Sequence, residues 1–289
     1  MKKKILVIIN PKAGVKRNKK IEQFLLKYLP ADKFEIEIYY TKAALDGKKY
    51  VSKNKSENWD AILVVGGDGT INEIGSELVN TNIALGIVPM GSGNGLARYL
   101  EIPINIESSI ERFSKFKIKQ IDVGAINNLF FFNSLGFGID AVVSKKFSES
   151  KNRGFKEYIR IAAPQIAKPT KVNIDVEING QFRKCEAVFF SVMNIDQFGN
   201  GFIIAPGANA EDGILDIVII KKMPITHIGQ WLWKSFKGRP IEHKYVEKQT
   251  AESLAIQNHQ GFFQIDGEYI EMRGELKISV IPKGLKVIC

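Results

Sequence analysis

The sequence of 289 residues predicts an α/β domain with a Rossmann-type parallel sheet, followed by a β-rich domain. Strand-like and helix-like segments alternate up to about residue 121, and three apolar strands each end in a turn rich in glycine, asparagine or serine. Beyond that point short strand-like runs dominate, and Asn179-Gly180 is typical of a hairpin turn. We therefore expect domains over 1–122 and 123–281, with 282–289 as a candidate strand returning to the first.

Hydrophobic periodicity assigns the individual elements of both domains. In the first domain it predicts strands over 4–9, 34–41, 61–65 and 83–88, with helices near 18–29 and 43–56. In the second it predicts strands over 129–132, 172–178, 187–193, 215–220, 253–257, 262–265 and 276–281. Helical patterns lie near 138–148, 155–163 and 225–237.

Composition narrows the function classes. The net charge is +10, and basic residues are dense in the first twenty positions, which suits a triphosphate, nucleic acid or an anionic membrane. No zinc spacing, RNA-binding strand motif or basic zipper is present, so we expect no nucleic-acid partner. Cys185 and Cys289 give neither a disulfide framework nor a metal spacing, and no apolar run is long enough to span a membrane. These observations predict a cytoplasmic protein.

The most informative stretch is the apolar run 61–65, which breaks into Gly66-Gly67-Asp68-Gly69-Thr70 and continues in a helical pattern. A strand, a glycine turn and a helix start bring backbone N–H groups against phosphate. Asp68 would repel phosphate unless a cation or donor-rich group lies between them, and the alternative is that it caps the next helix.

Two more loops of this kind follow apolar strands. Asn10-Pro11-Lys12-Ala13-Gly14 follows the first, and Pro89-Met90-Gly91-Ser92-Gly93-Asn94-Gly95 follows the fourth. Because the carboxyl ends of parallel strands line one crevice, three such loops predict a nucleotide site.

With these loops in view, the chain resembles the diacylglycerol kinase and sphingosine kinase superfamily. The motifs that carry the resemblance are 10–14, 66–70 with Asn72-Glu73, 89–98, 137–141, 205–216 and 265–268. They occur in the family's order, whereas the Gly-Gly-Asp-Gly motif alone is shared with soluble NAD kinases and phosphofructokinases. The resemblance implies an NAD kinase/phosphofructokinase-like first domain and a β-sandwich second domain.

The resemblance also implies a nucleotide site for ATP. Its residues would be Asn10, Pro11, Lys12, Ala13, Gly14, Thr41, Gly66, Gly67, Asp68, Gly69, Thr70, Asn72, Glu73, Gly91, Ser92, Gly93 and Asn94. Lys12 pairs with phosphate or is a solvated loop lysine, and Asn94 contacts the nucleotide or caps the following helix.

The remaining roles fall on carboxylates. By resemblance Glu268 is the general base toward a lipid hydroxyl and Asp68 is a second catalytic residue, although spacing alone favours a plain β-turn at Asp266-Gly267. Mg²⁺ would be held by Asn209, Asp212 and the backbone of Ile214, with Asp216 as a candidate neighbour. A loop or helix-cap role for Asp212 is the alternative. The three histidines, His227, His243 and His259, are scattered in sequence and suggest no zinc site.

The implied activity is an ATP- and Mg²⁺-dependent lipid kinase that phosphorylates a hydroxyl of diacylglycerol or a related lipid (a sphingoid base or phosphatidylglycerol). A soluble kinase of the NAD kinase type is the alternative. Gly91-Ser92-Gly93-Asn94-Gly95 is nearer the sphingosine and ceramide kinase form, which leaves the acceptor open. We expect a lipid substrate and transient contact with the anionic inner surface of the membrane. A homodimer is a candidate assembly. The stretch 225–237, with Trp231 and Trp233, suits a membrane interface but is more typical of a helix packed on its own domain.

Overall fold

The computed structural model describes residues 2–14, 20–152, 154–237 and 243–289. The start of the predicted first helix, the basic residues at 16, 17 and 19, and the position 153 lie outside the described residues. The chain forms two compact units, Met1–Ile121 with Lys283–Cys289, and Asp122–Pro282.

The first unit alternates strands and helices around a parallel sheet. Its elements are β1 Lys3–Ile9, α1 Ile21–Tyr28, β2 Phe34–Tyr40, α2 Asp46–Asn54, β3 Ala61–Gly66, α3 Asp68–Leu78, β4 Ala84–Pro89, α4 Gly95–Tyr99 and α5 Ile106–Ser114. The strand order is β2-β1-β3-β4, all parallel, and Val287 near the chain's last residues pairs in parallel with Leu85 of β4.

Burial explains why β3 and β4 are almost continuously apolar. Every residue of both strands is buried, as expected for parallel strands covered on both faces. Phe113 of α5 and Leu25 of α1 are nearly inaccessible in one of the packed layers, and burying each such side chain contributes roughly 1.5–3 kcal/mol. The carboxyl ends of β1, β3 and β4 consequently meet at one edge, where their loops lie.

The second unit is built from two antiparallel sheets. Its elements are β5 Ile118–Ile126, β6 Leu129–Phe131, β7 Ser134–Gly138, α6 Ile139–Glu149, α7 Phe155–Ala167, β8 Val172–Ile178, β9 Gln181–Ala187, β10 Phe189–Met193, β11 Leu215–Ile220, α8 Ile225–Phe236, β12 Val246–Ala251, β13 Ser253–Asn258, β14 Phe262–Ile265, β15 Glu268–Glu271 and β16 Gly274–Ile288. The boundary between the units falls within β5 and β16. One sheet runs β16-β13-β8-β9 and the other β12-β11-β10-β7-β14-β15. Buried side chains of both sheets share one core, in which Phe137 packs against Phe190 and Phe263.

The predicted fold class is confirmed, and so is the hairpin turn at Asn179 and Gly180, whose φ angles are 52° and 76°. Several elements were missed: α5, β5, β7, β9, β12 and β15. Four of the seven residues of β9 are polar or charged, as is typical of an edge strand. Its pairing with β8, rather than its own composition, makes it a strand.

Helix α8 packs on its own unit, as the more typical interpretation had it. Trp231 joins a cluster with Ile228 and contacts the Phe202 ring edge-on, whereas Trp233 is 52% exposed. His227 and His243 are 16 residues apart in sequence but meet in the fold, where His227 Nδ1 lies 2.9 Å from His243 Nε2. Among the described residues, no helix is long and apolar enough to cross a membrane.

Candidate active site

The three predicted nucleotide loops of the first unit come together at the carboxyl ends of β1, β3 and β4. A side chain on Gly67 would place its Cβ 3.1 Å from the Cα of Gly91, so the second and third loops touch through their glycine backbones. Gly14 has a φ of 59°, and a Cβ at this position would lie 2.7 Å from Cε of Met90 in the third loop. Bulkier residues would separate the loops, which explains glycine at these positions.

Asp68 joins two of these loops through its carboxylate. One oxygen accepts the backbone N–H of Asn94 and the other that of Gly95, both at 2.9 Å. Burial raises the pKa of Asp68, while these two N–H donors and the charge of Arg98 lower it. Asp68 therefore caps the start of α4 rather than that of α3, and a cation or donor-rich ligand group between Asp68 and phosphate stays a prediction.

Asn10 links the first loop to the second. Its Nδ2 donates to Thr70 Oγ1 at 3.0 Å, and its Oδ1 accepts the backbone N–H of Lys12 at 3.0 Å. The side chain of Lys12 is exposed, as are Pro11 and Ser92, while Ala13, Gly69 and Gly93 are partly buried in the loops. Thr41, buried, donates its backbone N–H to Ile9 at 2.9 Å.

Two residues of helix α3 that are predicted to contact the nucleotide, Asn72 and Glu73, form hydrogen bonds within the unit. Glu73 accepts the backbone N–H of Leu45 at 3.1 Å, and Asn72 accepts a hydrogen bond from Ser76 at 3.4 Å. Gly66 packs against Thr70, because a Cβ at position 66 would lie 2.7 Å from the Cβ of Thr70. These residues support the loops, and their contact with a nucleotide stays a prediction.

Asn94 closes the third loop on itself. It has a left-handed φ of 52°, and its Nδ2 donates to Gly91 O at 2.8 Å. The helix-cap interpretation is wrong for its side chain, because the Asn94 side chain accepts no hydrogen bond from the first N–H groups of α4. Its Oδ1 is buried and accepts no hydrogen bond from the described part of the protein.

In the second unit, Glu268 opens β15 directly after a tight turn. Asp266 and Gly267 have φ angles of 48° and 89°, so the plain β-turn favoured by spacing is present. Asp266 is the anchor of that turn, since its carboxylate accepts the N–H groups of Phe132, Asn133 and Ser134 at 2.8–3.0 Å. Glu268 itself is exposed at the end of the hairpin. A fixed turn therefore carries an accessible carboxylate.

A buried polar chain lies behind this turn. The Nε2 of Gln264 donates to Asp140 Oδ2 at 2.8 Å, and its Oε1 accepts the N–H of Gly267 at 2.6 Å. Burial raises the pKa of Asp140 to about 7, and the hydrogen bond from Gln264 works against that rise. Neither residue was singled out as a site residue from sequence. A signal existed for Asp140, which lies in the Phe137–Ala141 motif, but none for Gln264.

The predicted metal residues occupy the loop before β11. Asp212 is exposed, its Oδ1 accepts the N–H of Ile214 at 3.0 Å, and its own N–H points to Asn209 O at 3.4 Å. Burial, and then the charge of Asp212, raise the pKa of Asp216 to about 6. A divalent cation would relieve this repulsion, so the oxygen donors fit Mg²⁺, although the described residues hold no group of three or more His, Cys, Asp or Glu arranged for a metal.

Comparison with known proteins identifies both units. Residues 4–126 match the diacylglycerol kinase catalytic domain, and residues 133–289 match the YegS C-terminal NAD kinase beta sandwich-like domain. A diacylglycerol kinase of Staphylococcus saprophyticus is 26% identical over 276 residues, covering 93% of this chain and 90% of that protein. One of Staphylococcus carnosus is 25% identical over 275 residues, covering 93% and 90%.

A solved structure agrees with these relatives. The crystal structure of a diacylglycerol kinase from Bacillus anthracis is 27% identical and superimposes with a TM-score of 0.77, covering 99% of this chain and 96% of that one. The two matched domains occur in the same order as the two motif sets found in the sequence. The chain therefore belongs to the diacylglycerol kinase family, and it is a lipid kinase.

Proposed function

We propose that this lipid kinase transfers the γ-phosphoryl group of ATP, with Mg²⁺, to the free hydroxyl of diacylglycerol. The observation that carries the proposal is the convergence of three loops, each containing glycine, at one sheet edge beside the start of α3. Phosphoryl transfer needs a phosphate cradle, a metal ion and a group that positions the nucleophile. The relatives named diacylglycerol kinase favour this acceptor over a sphingoid base or phosphatidylglycerol.

The first unit would bind the nucleotide. Helix α3 has 11 residues and begins after Gly67, so its first N–H groups and its dipole favour an anion at that end. Asp68 keeps the third loop against the second, which holds the backbone N–H groups in one arrangement before ATP arrives. Lys12 is exposed and can approach a phosphate as a point charge.

The second unit would act on the lipid hydroxyl. A hydroxyl is a weak nucleophile until its proton is accepted, and Glu268 offers an exposed carboxylate for that proton. Asn209 and Asp212, with the carbonyl of Ile214, would hold Mg²⁺, and Asp216 would lie beside them. When bound, Mg²⁺ neutralises charge that develops on the transferred phosphoryl group.

We also propose that the protein docks transiently on an anionic membrane to reach its substrate. Trp233 and Phe236 of α8 are 52% and 50% exposed, and Lys234 and Lys237 lie beside them in sequence. Aromatic and basic residues together suit the interface of an anionic bilayer. Sedimentation with phosphatidylglycerol vesicles should be weakened several-fold by Trp233→Ala, and unchanged binding would contradict this role.

The activity is tested by incubating the protein with labelled ATP, Mg²⁺ and separate mixed micelles of diacylglycerol, phosphatidylglycerol, sphingosine and ceramide. NAD serves as the acceptor for the alternative, a soluble kinase of the NAD kinase type. We expect label on diacylglycerol, dependent on Mg²⁺ and absent in Glu268→Gln. Label on NAD alone, or transfer that survives removal of all divalent cations, would overturn the proposal.

A further inference from the structure

We propose that Gln264 is a positioning residue: its buried side-chain amide holds the Asp266-Gly267 turn, and with it Glu268, in the geometry that turnover requires. The inference rests on the proposed function for the role of Glu268. It concerns a residue that is not among the predicted nucleotide-binding, metal-binding or catalytic residues, and that acts through the turn.

The hydrogen bonds that join Gln264 to Asp140, Ser134 and Gly267 form a buried network, which we call the bracket. Its Nε2 donates to Asp140 Oδ2 at 2.8 Å and to Ser134 Oγ at 3.1 Å, so both amide hydrogens are engaged. Its Oε1 accepts the N–H of Gly267 at 2.6 Å. Because the two donor contacts fix which way the amide points, the acceptor oxygen always faces the turn.

The bracket is buried and closely fitted. Gln264 is 1% exposed and Asp140 is 6% exposed. A Cβ on Gly136, the residue paired with Gln264 across the sheet, would lie 1.9 Å from Asp140 Oδ2. Only glycine at this position leaves room for the carboxylate to reach the amide, so the site is shaped around this contact.

Glu268 is thereby controlled from both sides of the turn. Asp266 accepts the N–H groups of Phe132, Asn133 and Ser134, while Gln264 takes the N–H of Gly267, the residue directly before Glu268. An exposed carboxylate on a free hairpin end would sample many positions. A base must lie within hydrogen-bond reach of the proton that it takes, and a misplacement of about 1 Å can cost around 100-fold in rate.

Three variants test the bracket. Gln264→Met removes all three hydrogen bonds at similar volume. The double variant Asp140→Asn with Gln264→Glu remakes them with donor and acceptor exchanged, since the amide introduced at position 140 then donates to the carboxylate introduced at position 264, which still accepts from Gly267. Asn258→Leu is the matched control: Asn258 is also buried, and it joins Met272 O and the Gly261 N–H at the other end of the same hairpin.

Two readouts are needed, steady-state turnover and amide exchange of the segment 264–270. We expect Gln264→Met to lower kcat by about 10–100-fold with the KM for ATP unchanged, and to speed exchange of the Gly267 amide at least about tenfold. The double variant should return kcat to within about fivefold of wild type. Asn258→Leu should lower thermal stability by about as much as Gln264→Met does, but it should leave kcat near that of wild type.

The outcomes separate this inference from the proposed function. Wild-type kcat in Gln264→Met despite faster Gly267 exchange would overturn the positioning role, and so would a double variant as slow as Gln264→Met. If the wild-type protein labels no lipid, the proposed function fails. In that case unchanged Gly267 exchange in Gln264→Met would overturn the bracket as well, whereas faster exchange would retain it as the device that fixes the turn.

Discussion

Asp68 in the first unit and Asp266 in the second each directly precede a glycine, and both stabilise a neighbouring loop. Asp68 accepts the backbone N–H groups of Asn94 and Gly95, and Asp266 accepts those of three successive residues, 132–134. In both units a carboxylate from one loop stabilises the backbone of another. Charge-assisted hydrogen bonds of this kind are roughly twice as strong as neutral ones.

The carboxylates left accessible are different ones. Glu268 lies two residues after Asp266 and is exposed, and Asp212 is exposed in the loop before β11. The comparison teaches that a conspicuous acid in a motif and the acid available for chemistry need not be the same residue. The catalytic role of Asp68 stays a prediction, whereas its contact with the third loop is part of the structure.

The sharpest test of this division is Glu268→Gln. Removal of a general base costs about 10²–10⁴-fold in kcat, and an exposed substitution changes the free energy of unfolding by no more than about 0.5 kcal/mol. We therefore expect turnover to collapse while ATP binding and urea unfolding stay as in wild type. Glu271→Gln, at the exposed far end of β15, is the control and should keep its kcat. An active Glu268→Gln enzyme would contradict the assignment.

Asp266→Asn should act in the opposite way, on stability first. Asparagine keeps the shape and tolerates the positive φ, but its amide turns an N–H donor toward a backbone N–H. One unpaired buried donor costs about 1–3 kcal/mol, so urea unfolding should show a loss of that size. A midpoint equal to that of wild type would show that these hydrogen bonds do not stabilise the turn.

Asp68→Asn tests the same device in the first unit. We expect a loss of roughly 1–2 kcal/mol in the free energy of unfolding, because the asparagine amide leaves one of the two N–H donors without an acceptor. Binding of ATP, followed by calorimetry, should weaken along with it, since the third loop is released. Asp32→Asn, at an exposed position in the same unit, controls for loss of charge. Unaltered nucleotide affinity together with reduced stability would limit Asp68 to folding.

The last test concerns Asp140, whose effect on stability is seen as a pH dependence. Its pKa is about 7 in the folded protein against 3.8 for a free carboxyl, so the folded state binds the proton more tightly. The free energy of unfolding should consequently fall as pH rises from about 4 to 7, by roughly 1–4 kcal/mol. In Asp140→Asn this fall should be missing from unfolding curves measured at pH 5 and pH 8. An identical pH profile in the two proteins would contradict the raised pKa.

Much of the first unit was predictable because its signals are local. The strands β1, β3 and β4 are continuous apolar runs, and the glycine turns follow them directly in sequence. The partners of Asp68 could not be predicted, because they lie 26 and 27 residues away and contribute only backbone N–H groups. Every residue except proline has a backbone N–H, so the sequence does not show which of these groups donate to Asp68.

The second unit shows the same limit in its strands and its site. The edge strands β9 and β12 are rich in polar and charged residues, so only their neighbours in the sheets define them. Asp266 is a typical turn residue by sequence, and the residues whose N–H groups it accepts lie 132 to 134 positions away in the chain. Gln264 lay inside a correctly predicted strand, but its neighbour Asp140 is 124 residues away.

The return of residues 283–289 to the first unit has a consequence for the order in which the protein is made. Val287 pairs with Leu85, Asn80 donates its N–H to Gly284, and Cys289 donates its N–H to Lys117. On a translating ribosome, the nucleotide-binding half thus emerges first but acquires its last strand only after the entire β-rich half has been synthesised. A nascent chain stalled before residue 283 would leave one edge of β4 uncovered, and chaperone capture should be strongest over that interval.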